Sequence, residues 1–199
     1  MTRTITTRTI TTRTIRTRWA AIGAAIAITL GAGGLATVSA DSTQSVFTPI
    51  TPTRVLDTRY DVGLPGAFRG NTSRKLDVTG TITYVSGTNP DFSPITSRGT
   101  IVPDGATAIV ANLTVTQPTS TGFVSIRPGT ATGTPSTSNI NIPAPGSDTP
   151  NSVTVELPTN GTVDLYYNPI GATTHLILDI VGYYTEGTGT PGPEGPPGP

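Results

Sequence analysis

Between Phe47 and Tyr184 apolar residues recur at every second position in short runs, and no stretch repeats with the period of a helix. The clearest run is ATAIVANLTVT, where Ile109, Ala111, Leu113 and Val115 share one face and Val110, Asn112 and Thr114 the other. QPTSTG then leads into FVSIRP, and the two runs are expected to pair as an antiparallel hairpin. SNINIP sets Ile140 and Ile142 against Asn139 and Asn141, and SVTVEL aligns Val153, Val155 and Leu157. Past an Asn160-Gly161 turn, TVDLYYN directs Val163, Leu165 and Tyr167 one way. HLILDIVGYY is apolar on both faces, as a central strand requires. TRVLDTR, RKLDV and TITYV bring the expectation to eight or nine strands, while Ser86 to Pro103 offers no assignable element. Proline, glycine and threonine break the chain every ten residues or so, which predicts an all-β fold: an antiparallel, jelly-roll-like β-sandwich.

Both ends of the chain depart from this pattern. MTRTITTRTITTRTIRTR carries five arginines and no acid, and WAAIGAAIAITLGAGGLATVSA carries no charge. A basic start, an apolar stretch and a small-residue finish predict a secretory signal peptide over residues 1–40, cleaved after Ala40. The competing reading is an uncleaved anchor over Trp19 to Val38; Gly31, Gly33 and Gly34 disfavour that helix. At the other end, GTPGPEGPPGP places glycine at 189, 192, 195 and 198 with proline at most positions between, the pattern of a collagen triple helix. Residues 186–199 are therefore expected to begin a collagen-like stalk, and residues 41–185 to form its head. A collagen helix needs three strands, so the expected partner is the chain itself, as a homotrimer. Four triplets are too few to hold three chains, and the expected parent is a longer protein.

Charge narrows the function. The whole chain balances twelve basic against twelve acidic residues, but without the leader seven basic residues face the same twelve acids, a net charge near −5. That excludes a nucleic-acid-binding role resting on a basic surface. There is no cysteine, so the head depends on an ordinary core rather than on disulfides.

PTRVLDTR, VPDGATAIVANLTVTQPTSTGFVSIRPG, SNINI, PNSVTVEL and LILDIVGYY together resemble the β-rich module found, often in tandem, in secreted and surface proteins of actinobacteria and related bacteria. The resemblance spans Thr51 to Tyr184 and implies no catalytic activity for the module. The tail resembles bacterial collagen-like surface proteins.

The candidate chemistry is sparse. An aspartate inside LILDIV needs a counter-ion, so Asp179 is expected to be buried in a structural ion-pair network with Arg54, Asp57 and Arg59, and Arg59 is the favoured partner. By strand parity Asp57 and Arg59 share a face, whereas Arg54 and Arg59 do not. The same Asp-Thr-Arg cluster is a candidate for gripping a sugar or carboxylate. Tyr60, Tyr166 and Tyr184 are candidate glycan contacts, because a YY pair in a strand sends one ring out and one in. Asp57 and Asp61 match no calcium loop, so no metal or other cofactor is expected. His175 is the only histidine, and GxSxG, HExxH and phosphate-loop motifs are all missing, so no enzyme is expected. Asn112, Asn139 and Asn141 are expected to serve structural hydrogen bonds, with a polar cleft as the alternative. The leading expectation is a structural or adhesive head, and the alternative is a module binding cell-wall or environmental glycan.

Overall fold

A computed structural model describes residues 45–187, and all their regular structure is β. The expected signal peptide with its Ala40 cleavage site, and the tail glycines Gly189, Gly192, Gly195 and Gly198, lie outside the described residues.

Eleven strands follow one another: β1 (Ser45–Asp57), β2 (Phe68–Arg69), β3 (Thr72–Asp77), β4 (Thr81–Thr88), β5 (Pro94–Thr100), β6 (Ala106–Thr116), β7 (Gly122–Pro128), β8 (Ile140–Ile142), β9 (Thr149–Glu156), β10 (Thr162–Asn168) and β11 (Thr173–Glu186). The first sheet runs β1-β11-β6-β9 with the short β2 also on β11, the second runs β3-β10-β7-β8, and β4 and β5 pair only with each other. Every pairing is antiparallel.

Both large sheets contribute their alternate residues to one apolar cluster. Ile109, Leu113, Leu176, Leu178 and Ile180 enter it from the first sheet and Val124, Val163, Leu165 and Tyr167 from the second, each with no exposed surface. Burying a side chain of this size contributes about 1.5–3 kcal/mol, so the interleaved faces hold the sheets together. Phe68, Val78 and Val102, on β2 and in the loops, belong to the same cluster.

Three expectations need correction. The strand count is eleven among the described residues, because the two-residue β2 pairs with β11 and the Ser86 to Pro103 stretch contains β5, the partner of β4. Its residues are largely exposed on both faces and so leave no alternation to read. Second, β6 and β7 do not form a hairpin: β6 lies between β11 and β9, while β7 lies between β10 and β8 in the other sheet. QPTSTG carries the chain from one layer to the other. Third, β11 runs to Glu186, one residue beyond the expected end of the head.

Candidate functional site

The charged cluster sits on the outer face of the first sheet. Arg54 is opposite Asp179 in the β1–β11 ladder, Asp57 is opposite Ile177, and the register shifts between Arg54 and Leu56. That shift is a bulge at Val55, and it returns Arg54 and Asp57, three residues apart, to the same face. Parity without the bulge separates them.

The Arg54 guanidinium forks onto Asp179, with Nε donating to Oδ1 at 2.8 Å and Nη2 to Oδ2 at 3.1 Å. Its Nη1 donates to Asp57 Oδ2 at 3.2 Å. Arg59 clasps the same carboxylate, Nε to Oδ1 at 2.9 Å and Nη2 to Oδ2 at 2.7 Å, and its backbone N–H also donates to Oδ1 at 3.2 Å. So the expected pairing is corrected: Arg54, not Arg59, holds Asp179. The deeply buried acid is Asp57, whose side chain is 2% exposed against 24% for Asp179. Burial by itself would raise the Asp57 carboxyl, but the hydrogen bonds and charge of Arg59, with the charge of Arg54, outweigh it and hold the group below the usual carboxylate range. Hydrogen bonding to Asp179 likewise raises Arg54.

A turn closes over the end of β1. Asp57 and Val62 exchange backbone hydrogen bonds at 3.1 Å in both directions, and Tyr60 N–H donates to Asp57 O at 3.1 Å. Asp61, at a positive φ of 58°, accepts from Gly66 N–H at 2.7 Å. The two aspartates thus serve separate duties, and Asp57 has both oxygens engaged by arginine. Among the described residues no three His, Asp or Glu side chains gather as metal ligands.

The candidate tyrosines are not brought together. Tyr60 is exposed in the turn, with Arg59 5.5 Å from its ring centroid. Tyr184 lies toward the far end of β11, opposite Phe47, with ring centroids 5.2 Å apart. Tyr166 is corrected outright: it is 4% exposed, stacks on Phe123, and donates its hydroxyl to Asn71 Oδ1 at 2.6 Å. The rule of one ring out and one in fails in β10, because both faces of that strand are covered.

His175 Nδ1 lies 3.0 Å from Thr58 Oγ1, which accepts from Leu176 N–H at 3.1 Å. With that N–H on the oxygen, the threonine proton is free to point at the imidazole. Thr58 is 1% exposed, so no substrate reaches its hydroxyl. Asn139 accepts from Ile126 N–H at 2.8 Å and its carbonyl receives Asn151 Nδ2 at 2.7 Å. Asn112 donates to Thr114 Oγ1 at 3.2 Å, and Asn141 accepts from Ser138 Oγ at 3.0 Å. Asn112 also faces Asp179 in the ladder, extending a polar row from Arg54 across to Ser152 on β9.

A second buried ion pair occupies the outer face of the other sheet. Asp164 faces Arg127 across the β10–β7 ladder, and Arg127 Nε donates to its Oδ2 at 2.8 Å, as does Ser73 Oγ at 3.0 Å. The guanidinium also donates to the carbonyls of Gly133 at 2.6 Å and Thr132 at 3.4 Å, tying the β7–β8 loop to the sheet. Asp164 was legible by the argument that singles out Asp179: VDLYY, like LILDIV, sets an acid in an apolar run, and the neighbouring strand carries SIRP.

Two open clefts lie on the surface of the described residues. One of about 310 Å³ lies between the facing edges of β3 and β4 and includes Asp61, Lys75, Asp77 and Arg98. The other, about 440 Å³, lies where β4 passes Arg54 and Asp179. No buried side-chain nitrogen or oxygen among the described residues lacks a partner. The buried charges are thus spent on one another. Neither a family model, a curated protein nor a solved structure matches the chain.

Proposed function

We propose that this chain is a non-catalytic head, secreted or displayed on a cell surface and carried on a collagen-like stalk, with a structural or adhesive role. The observation that carries the reading is where the chain leaves the fold: the last strand ends at Glu186, and the Gly-x-y period starts at Gly189. A strand with partners on both sides thus runs almost directly into the repeat. The head is read more finely as a jelly roll. Leaving aside β2 and the β4–β5 hairpin, eight strands remain, and each connection crosses between the sheets except β7 to β8.

The saturated buried charges support a scaffold more than a reaction centre, since catalysis needs a group poised to exchange a proton or bond. The candidate tyrosines stand apart, which favours the structural reading over the glycan-binding one. Export is tested by the intact mass of the secreted product. The expected species begins at Asp41, and one retaining Trp19 makes the leader an anchor. The stalk is tested by following the Gly-x-y segment with further triplets: the expected result is polyproline-like circular dichroism that melts cooperatively. A tail without that signal reduces the segment to a linker.

A further inference from the structure

The geometry points to a self-association surface at the base of the head, made by Phe47, Tyr184, Ala108 and Val110, whose occupants are two further copies of this chain. The inference rests on the reading of the tail as a stalk.

Phe47, Tyr184 and Ala108 fall in one row across β1, β11 and β6, and Gly182 and Val110 are opposite each other in the next row. All stand on the outer face, because the intervening Ile109 and Ala111 point into the core. Phe47 is 43% exposed although it is a large aromatic residue, and it lies over Gly182, where an added Cβ would come within 2.4 Å of its ring. Glycine at 182 therefore leaves room for the ring against the sheet. Tyr184 packs beside it at 5.2 Å, and Glu156, opposite Ala108, and Glu186 supply a charged border. An apolar centre with a polar rim is the anatomy of a protein interface.

The position of this patch identifies its occupant. Ser45 pairs with Glu186, so the chain enters and leaves the head beside Phe47 and Tyr184. Three residues carry the chain from Glu186 to Gly189, which at full extension is about 10 Å. In a triple helix every third residue is a glycine packed at a common axis. Three heads joined to one stalk therefore have their Glu186 residues gathered within about that reach of the axis, and the aromatic patches are held there with them. A triple helix starts only once three chains are held together, and contact between the heads supplies that association. Tethering in turn raises the effective concentration of each patch for the next.

The test is sedimentation of the exported chain, Asp41 to Pro199, at micromolar concentration. The expected mass is three chains, falling to one chain in Phe47→Asp. Val110→Lys, on the neighbouring strand, should give the same loss, and it decides the matter if Phe47→Asp alters melting. A wild-type monomer or dimer overturns the proposal, as does a trimer that survives both substitutions in folded protein. Gly192→Ala combined with Gly195→Ala separates head from stalk. The trimer should persist with the repeat broken. Its loss there, with Phe47→Asp still trimeric, assigns association to the tail and removes the patch. A head trimer that still lacks triple-helix dichroism when its tail is extended by further triplets keeps the patch and removes the stalk reading instead.

Discussion

The two sheets each bury an aspartate beneath arginine on their outer faces, yet they surround it differently. Asp57 lies at the end of β1, shared by Arg54 and Arg59, whose side chains are 35% and 31% exposed. Asp164 lies in the middle of β10, a central strand, with Arg127 at only 15% exposure and a serine as its side-chain partners. The first site is redundant and close to water, so losing a member leaves other partners and solvent. The second is a single pair that also fastens a loop. Depth and redundancy, rather than the count of ion pairs, set what each is worth.

The sharpest way to break the comparison is Asp164→Ala. It leaves the Arg127 charge without a counter-ion and with little access to water, held only by neutral partners, and should cost about 3–5 kcal/mol in urea denaturation. A variant as stable as wild type would erase the difference between the sheets. Asp57→Ala should come next, at about 1.5–3 kcal/mol, because Arg54 keeps Asp179 and Arg59 can turn to solvent.

Acid sharpens the same site. The Asp57 carboxyl titrates lower in the folded protein than in the unfolded chain, so the folded state binds its proton less readily. Its stabilisation is complete above the ordinary value of about 3.9 and is lost as pH falls through the folded one. The stability gap between wild type and Asp57→Asn should therefore hold down to about pH 4 and narrow below it. A gap that widens on acidification contradicts the assignment. The smallest effect is expected from Asp179→Ala, about 1 kcal/mol or less and weakened by salt, since both partners reach solvent and Arg54 retains Asp57. From LILDIV alone this site promises the largest loss; its exposure makes it the smallest.

The legible parts of the fold were those where burial and strand period coincide. ATAIVANLTVT maps onto β6 residue for residue, since one face meets the core and the other carries Asn112 and the threonines. TITYV was legible as β4, but its partner β5 was not, because Ser97, Arg98 and Thr100 answer to solvent and to each other rather than to a core. Topology was hidden for a separate reason: the alternation of β6 and β7 is the same whether the chain turns back beside itself or crosses to the opposite layer. At the site, the residue types were readable and the partners were not. A one-residue bulge at Val55 moves Arg54 onto the face of Asp57 and leaves no mark in composition.

The pairing of Ser45 with Glu186 also decides how the head bears load. A pull applied at Glu186 acts along β11, which has β1 on one side and β6 on the other over most of its fourteen residues. That direction strains the two ladders in shear, many hydrogen bonds at once. A pull that separates Ser45 from Glu186 instead peels β1 from β11 one bond after another. Force spectroscopy through Glu186 and the opposite end of the fold should thus record a higher rupture force than the same instrument gripping Ser45 and Glu186, making the fold strong along β11 and weak across it.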